Sequence, residues 1–197
     1  MDKEFTEQQG KKLLKLARIS IARKHEISAD KKNQTVLENE LSDPIFQKKR
    51  GIFVTLLMDG NLRGCIGNLE PEETVVEGVR KNALNAAFED PRFPPLEPDE
   101  LERVQIEVSI LTKPIPLEYT DTDDLLSKLT PYEDGLIIEH NTRKATFLPQ
   151  VWKQVPEPEK FLSHLCRKAG MPAHQWKKGD LTVRIYRVES FEEHRDG

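Results

Sequence analysis

Cysteine is scarce in this chain of 197 residues, where only Cys65 and Cys166 occur. They lie far apart and belong to no CxxC pair, so neither a disulfide scaffold nor a redox or metal pair is indicated. This cysteine usage predicts a reducing cytoplasm as the compartment. Long apolar runs are missing as well: none approaches the roughly 18 residues of a membrane span. The polar, charged start of the chain is unlike a secretory signal.

The sequence motifs of common cofactor and metal sites are also missing. There is no Walker A sequence, GxGxxG fingerprint, GxSxG elbow, HExxH helix or CxxxCxxC iron–sulfur pattern. The five histidines are scattered without ligand spacing, so we interpret each as a surface or partly buried polar residue rather than a metal ligand. We therefore expect no bound metal and no cofactor.

Positive charge is not concentrated enough for a general nucleic-acid binder. The net charge is −4 and the calculated pI is about 5.8, whereas such a protein needs a concentrated positive field. The first fifty residues are basic and the remainder acidic. A helix face with Lys11, Lys15 and Arg18 could touch an acidic partner, but a solvated face is the commoner explanation.

Apolar periodicity predicts the main elements. Thr6 and Gln9 fit a capping box in front of an amphipathic helix over 7–25. Thr74 and Glu77 fit a second capping box in front of a helix that ends near residue 89. The same periodicity predicts helices at 122–130 and 158–169 and strands at 52–58, 62–67, 104–110, 136–139, 145–148 and 181–185.

Two stretches carry weak signals. Residues 28–49 are polar and weakly periodic, so we interpret them as an ordered or partly ordered connector. The tail, 189–197, is expected to fray apart from Phe191. Because the strands come as hairpins interleaved with helices, the pattern favours an α+β fold with antiparallel sheets over a doubly wound parallel sheet.

The stretch 62–67, LRGCIG, holds the most chemistry in the chain. It follows an apolar strand and the turn signal Asp59-Gly60, so it is predicted to be the second arm of a hairpin. In a regular strand, Arg63 and Cys65 would share a face, since they are two residues apart. That arrangement would place a permanent cation near a thiol.

The neighbouring glycines support the same interpretation but also a plainer one. Gly64 and Gly67 lack a Cβ, which lets backbone or ligand approach closely on either side of Cys65. Free cysteine, however, often only fills a gap in a core, and a glycine in a strand can simply mark a bulge. On chemistry alone, the structural interpretation of this stretch is favoured over a functional one.

Two arginines in loops are further candidates. Arg92 lies in 90–96, DPRFPPL, where three prolines make a stiff loop. Stiffness suits a residue that must be positioned, and it equally suits plain chain reversal. Arg143 lies in the second hairpin and could bind an anion, although an ordinary loop charge is the favoured explanation.

Five motifs in order carry a family resemblance. They are LRGCIG at 62–67, DPRFPPL at 90–96, IEVS at 106–109, DGLI at 134–137 and TFLPQV at 146–151. With these motifs the chain resembles the AMMECR-type domain family over nearly its whole length. One departure is Lys144-Ala145, where many members carry a glycine-containing turn.

The resemblance implies an α+β fold of two unequal subdomains, each with an antiparallel sheet and helices, and a cleft between them. The larger subdomain is expected to comprise 1–118 plus 176–197, and the smaller one 119–175. The LRGCIG strand is expected to face the cleft. Family association suggests Memo-like and radical-SAM proteins as partners, and it implies no reaction.

Two functions remain as hypotheses. In the first, the protein binds a ligand or protein partner in the cleft through Arg63, Gly64, Gly67, Arg92 and Arg143. In the second, the protein is an enzyme or enzyme component with Cys65 as the nucleophile.

The enzyme hypothesis needs a cation and a base. Arg63 would lower the pKa of the Cys65 thiol, with Arg92 as a second cation. His140 is a weak candidate for the base. The missing base, metal and cofactor signals favour binding over catalysis. Nucleic-acid binding ranks last because of the acidic balance, and no membrane association is expected.

Overall fold

The computed structural model describes residues 4–26 and 31–194. The helices are α1 (Glu7–Lys24), α2 (Lys31–Glu40), α3 (Val75–Phe88), α4 (Thr122–Lys128) and α5 (Pro158–Lys168). The strands are β1 (Ile52–Met58), β2 (Asn61–Asn68), β3 (Val104–Leu111), β4 (Ile115–Pro116), β5 (Gly135–His140), β6 (Arg143–Phe147), β7 (Thr182–Tyr186) and β8 (Val188–Glu192). Two four-stranded antiparallel sheets with helices confirm the predicted α+β class.

The chain forms two compact units. The first comprises Met1–Leu111 with Glu189–Gly197, and the second comprises Thr112–Val188. The predicted smaller subdomain, 119–175, lies within the second unit, which also takes in β4 and β7. The predicted cleft between subdomains stays a prediction. Within the described residues, no helix combines the length and the apolar character needed to cross a membrane.

The first unit is a sheet in the order β2-β1-β3-β8 that shares one apolar core with α1 and α3. Buried and more exposed side chains alternate along β1 and the first part of β3, because successive side chains point to opposite faces of the sheet. The buried aliphatic side chains at alternate positions of β1 and β3 are Ile52, Val54, Leu56, Val104, Ile106, Val108 and Ile110, and Ser109 and Leu111 at the end of β3 are buried as well. Each fully buried aliphatic side chain of this kind contributes about 1.5–3 kcal/mol relative to an exposed one.

Both predicted capping boxes are confirmed. The Thr6 side chain accepts a hydrogen bond from the Gln9 amide, and the Gln9 side chain accepts one from the Thr6 amide. Thr74 and Glu77 make the same reciprocal pair at the start of α3. These bonds satisfy amide groups that have no partner inside the helix, which is why each helix begins where it does.

The weak-signal stretches are more regular than expected. Residues 31–40 form α2, and the buried side chains of Leu37 and Leu41 join the first core. The predicted fraying of the tail is wrong over 189–192, because these residues belong to β8, which joins the first sheet. Phe191 is buried there against Gly10, where an added Cβ would lie 2.0 Å from the ring. Residues 27–30 and 195–197 lie outside the described part of the chain.

The second unit is a sheet in the order β4-β7-β5-β6 with its own apolar core. Trp152 stacks on Phe161 of α5, with ring centroids 3.7 Å apart. The indole Nε1 of Trp152 donates to the carbonyl of Asp134 at 2.7 Å. The buried tryptophan is therefore anchored both by packing and by a hydrogen bond at the start of β5.

Candidate functional site

Strand β2 is irregular at the LRGCIG motif. The pairing register with β1 shifts between Leu56 and Leu57, which leaves Arg63 without a partner on β1. An extra residue of this kind is a β-bulge, and it interrupts the alternation of side chains. The regular alternation from which the sequence placed Arg63 and Cys65 on one face therefore does not hold here.

Arg63 is engaged with the loop that follows α3. Only 7% of the residue is exposed. Its Nε and Nη2 donate to the two carboxylate oxygens of Glu100 at 2.9 and 2.7 Å, and Nη1 donates to the carbonyl of Pro94 at 3.0 Å. These bonds to Glu100 raise the pKa of Arg63, and the same pairing lowers the pKa of Glu100. Arg63 thus ties β2 to the proline-rich loop.

The backbone of Cys65 is held from the open side of the sheet. Strand β2 is at the edge, with β1 on its other side. The Cys65 amide donates to Asp90 Oδ2 at 2.8 Å, and Arg92 Nη2 donates to the Cys65 carbonyl at 3.0 Å. Two side chains therefore take the place of a neighbouring strand, which blocks this edge at Cys65.

Asp90 and Arg92 form a tight ion pair. Arg92 Nε donates to Asp90 Oδ1 at 2.9 Å, and Arg92 Nη2 donates to Oδ2 at 2.7 Å. This side-chain bonding holds the pKa of Asp90 well below its usual range, although only 4% of the residue is exposed. The carboxylate therefore stays charged at any physiological pH.

The guanidinium of Arg92 is fixed at one end and open at the other. Its side chain is 53% exposed. Hydrogen bonding to Asp90 is the main cause of its raised pKa, and Cys65 makes a smaller contribution. Among the described residues, none accepts a hydrogen bond from Nη1. Arg92 is therefore a positioned cation with donors available to a ligand.

The thiol of Cys65 belongs to a polar row across three strands. Thr55 on β1 pairs with Cys65 on β2 and with Glu107 on β3. Thr55 Oγ1 donates to Cys65 Sγ at 3.3 Å, and Ser109 Oγ donates to Glu107 Oε1 at 2.9 Å. We call Thr55, Cys65, Glu107 and the adjoining Arg92 the Cys65 site.

Protein groups fill the space beside both glycines of the motif. A Cβ on Gly64 would lie 2.1 Å from the carbonyl oxygen of Ala86 in α3. A Cβ on Gly67 would lie 2.3 Å from the ring of Phe53. The close approach is thus by backbone at Gly64 and by an aromatic ring at Gly67. A ligand-binding role for these two glycines stays a prediction.

The remaining candidates lie in the second unit. Arg143 Nη1 donates to the carbonyl of Gly170 at 2.6 Å, and His140 Nδ1 lies 3.1 Å from the carbonyl oxygen of Asp180. The other cysteine, Cys166, is 0% exposed, and burial raises the pKa of its thiol. In the described part of the chain, no group of three or more His, Cys, Asp or Glu residues could hold a metal ion.

Reasoning from the sequence missed Thr55 of the Cys65 site. It also missed Glu107, another member of that site, and Asp90, which holds Arg92 in place. Both were visible in motifs, since Asp90 opens DPRFPPL and Glu107 stands in IEVS. The available signal was their position. Asp90 is an acid just after a helix and before a proline, and Glu107 lies on the polar face of an alternating strand. Which strands become neighbours depends on long-range pairing, which periodicity does not reveal.

Comparisons with known proteins identify relatives along most of the chain. The model of the AMMECR1 family matches residues 14–191, which confirms the resemblance seen in the motifs. A protein of Methanothermobacter thermautotrophicus is 40% identical over 190 residues, which cover 96% of this chain and 95% of the relative. Protein MK0488 of Methanopyrus kandleri is 37% identical over 201 residues, covering 98% and 92% of the two chains.

A solved structure resembles the whole chain. The crystal structure of the uncharacterized protein PH0010 from Pyrococcus horikoshii has a TM-score of 0.75 and 33% sequence identity. The match covers 98% of this chain and 95% of that one.

Proposed function

The chain belongs to the AMMECR1 family, and from its geometry we propose that the Cys65 site binds a small polar ligand through an acidic group held by Arg92. The observation that carries this proposal is the state of the Arg92 guanidinium. Asp90 and the Cys65 carbonyl fix it, while half of its side chain remains exposed. Because the cation is already positioned, little side-chain entropy is lost when an anion binds.

The ligand in this proposal is not an added β-strand. Edge strands bind extended peptides through free amide and carbonyl groups. At Cys65 both groups are already bonded to Asp90 and Arg92. Recognition must therefore use side chains of the polar row rather than the backbone of β2.

The polar row suggests the rest of the ligand's chemistry. Thr55 and Cys65 offer a hydroxyl and a thiol, and Glu107 offers a carboxylate that accepts hydrogen bonds. The carboxylate of Glu107 would repel a second acidic group. The site as proposed favours a ligand with one acidic group near Arg92 and a neutral or positive donor near Glu107.

Arg63 acts in this proposal by positioning the loop rather than by touching the ligand. Its guanidinium is bonded to Glu100 and to the carbonyls of Pro94 and Pro95. That loop carries Arg92. Losing Arg63 would leave Glu100 without its ion-pair partner and free the loop, so ligand affinity should fall even though the ligand never contacts Arg63.

Ligand-observed NMR with a library of small carboxylated and phosphorylated metabolites tests the proposal. We expect at least one compound to bind the wild-type chain and to lose binding in Arg92→Gln. Arg103→Gln is the matched control, because Arg103 is also an exposed arginine paired with an aspartate, Asp59. Binding that survives Arg92→Gln, or is lost equally in both variants, would reject the proposal.

A second candidate function is nucleophilic chemistry at Cys65. The hydrogen bond from Thr55 Oγ1 to Sγ and the nearby Arg92 favour it, since donors and cations stabilise a thiolate. Here the activating cation would be Arg92, because Arg63 is committed to Glu100. His140, the residue expected as the base, belongs to the second unit.

Alkylation kinetics distinguish the two candidates. Iodoacetamide at neutral pH should modify Cys65 faster than Cys166. The burial of Cys166 is enough to explain this difference in rate. A nucleophile activated by Arg92 should in addition react several-fold more slowly in Arg92→Gln than in Arg103→Gln. Equal rates in these two variants would leave Cys65 as a packing or ligand-contacting residue.

The partners implied by the family resemblance, Memo-like and radical-SAM proteins, stay a prediction that a pull-down would test.

A further inference from the structure

We infer a separate anion site in the second unit, at the turn between β5 and β6, which takes the phosphate group of a small molecule. The pocket has a volume of about 360 Å³. It lies between the hairpin turn and the 3-10 turn Gln175–Lys178. Its size is in the range of small-molecule sites, and every lining residue belongs to the second unit.

Two cations from different elements line the pocket. Arg143 stands at the start of β6, and its Nη1 donates to the Gly170 carbonyl at 2.6 Å. Within the described residues, its Nε and Nη2 have no acceptor. Lys178 ends the 3-10 turn and, again among the residues described, has neither a hydrogen bond nor an ion pair. Arg143 is therefore held in place with donors to spare, and Lys178 brings a second positive charge to the same pocket.

Among the described residues, the carboxylate of Asp180 in the pocket forms no ion pair with either cation. Both oxygens of Asp180 accept from Gln175 Nε2, at 3.0 and 2.9 Å. Asp180 Oδ2 also lies 3.8 Å from His140 Nδ1. Gln175 is buried, so the carboxylate is fixed on its side of the pocket. The lining therefore holds two permanent cations and one carboxylate, a balance that favours an anion.

The donor set fits a phosphate group better than a carboxylate. The fork of Arg143 Nε and Nη2 matches two oxygens of a tetrahedral oxyanion, and a lysine adds a point charge. The hydroxyl of Thr142, which also lines the pocket, can donate to a third oxygen. A phosphate group offers three oxygens, enough for Arg143, Lys178 and Thr142 together, whereas a carboxylate offers only two.

Calorimetric titration of the full chain with pyrophosphate and with inorganic phosphate tests this site. We expect pyrophosphate to bind one site per chain that depends on Arg143 and Lys178. Arg143→Ala and Lys178→Ala should each weaken pyrophosphate binding about tenfold, the usual loss for one charge-assisted contact. Lys153→Ala removes an exposed lysine outside the pocket, in the same unit, and should leave binding unchanged. Arg143 and Lys178 are exposed, so their variants should keep the wild-type melting temperature.

Three results would overturn the inference. One is the absence of pyrophosphate binding at millimolar concentration in a low-salt buffer. Another is an equal loss of affinity in Lys153→Ala, which would indicate diffuse charge attraction. The third is equal competition by an oligoglutamate peptide, which would identify the occupant as an acidic protein segment. Arg143→Ala and Lys178→Ala change only the second unit and leave the Cys65 site intact, so either proposal can fail without the other.

Discussion

Each unit contains a buried aspartate next to an arginine, and the two pairs are built differently. Asp90 in the first unit is bound by two nitrogens of Arg92 at 2.7 and 2.9 Å. Asp134 in the second unit is 1% exposed, but its nearest arginine nitrogen, Nε of Arg187, lies 3.5 Å away. Arg187 directs its Nη2 to Glu133 instead, at 2.9 Å.

The backbone groups that these aspartates hold explain the difference. Asp134 accepts from the Thr130 amide at 2.7 Å, and its own carbonyl accepts from Trp152. It therefore closes a turn over a packed tryptophan. Asp90 accepts from the Cys65 amide and holds Arg92 beside it. Burial of an acid does not by itself mark a functional site, because the groups that it positions decide its role.

The largest loss of stability is expected when the glycines beside these two aspartate sites are replaced by alanine. Gly64 precedes Cys65, which is bonded to Asp90, and Gly135 follows Asp134. Gly64→Ala puts a Cβ against the backbone carbonyl of Ala86, which cannot rotate away, so we expect a loss of about 3 kcal/mol or more. Gly135→Ala meets the ring of Tyr186 at 2.4 Å, and this side chain can shift more easily than backbone although its hydroxyl is bonded to Phe147. Urea unfolding should therefore rank Gly64→Ala as the more damaging change. The reverse order would show that β2 is not held rigidly on α3.

Substitution of the aspartates tests the comparison itself. Asp90→Ala removes several charge-assisted hydrogen bonds and leaves the Cys65 amide unpaired, so it should cost about 3 kcal/mol of unfolding free energy. Asp134→Ala removes one short bond and one long one, so about 1–2 kcal/mol is expected. Equal costs in urea unfolding would mean that the two pairs are equivalent.

The stability of the first unit should fall at acid pH because Asp90 becomes protonated there. Its folded-state pKa is lowered by Arg92, so its stabilising contribution is present above the unfolded pKa of about 4 and is lost as pH falls towards the folded value. Asp90→Asn should be less stable than wild type at pH 7, and the gap should shrink below about pH 4. A gap that stays constant from neutral to acid pH would contradict this account.

The stability of the second unit should fall at alkaline pH instead, and by a smaller amount. Burial raises the pKa of Tyr186 to about 12, and its hydroxyl donates to the Phe147 carbonyl at 3.0 Å. The corresponding stability is fully present below the unfolded pKa of about 10 and is lost as pH rises towards 12. Tyr186→Phe should therefore lose less stability than wild type between pH 8 and pH 11. Equal losses of unfolding free energy in wild type and Tyr186→Phe would show that Tyr186 already ionises near pH 10.

Local signals in the sequence predicted much of the first unit. The capping boxes at Thr6 and Thr74 and the alternation of β1 and β3 depend on residues close together in the chain. The antiparallel α+β class followed from the same signals, because short turns join neighbouring strands. These features need no knowledge of distant contacts.

The features that were missed depend on contacts between distant residues. The bulge at Arg63 involves its pairing with Glu100 and the register of β1, which are both contacts between distant residues. From the sequence, a bulge was only one of the explanations considered for the adjacent glycine. Strand β8 shows little pattern beyond Phe191, whose place is set by Gly10 at the other end of the chain. Asp90 looked like a loop residue because its partner, Cys65, is on another element.

Amide hydrogen exchange at Cys65 is the most direct test of the Cys65 site. An amide on the open side of an edge strand normally exchanges quickly, whereas the bond to Asp90 should protect it. We expect strong protection in wild type and a loss of at least about tenfold in Asp90→Ala, beyond any change at Val54 in the central strand β1. Fast exchange at Cys65 in wild type, or equal changes at Cys65 and Val54, would contradict the claim that Asp90 and Arg92 hold this strand.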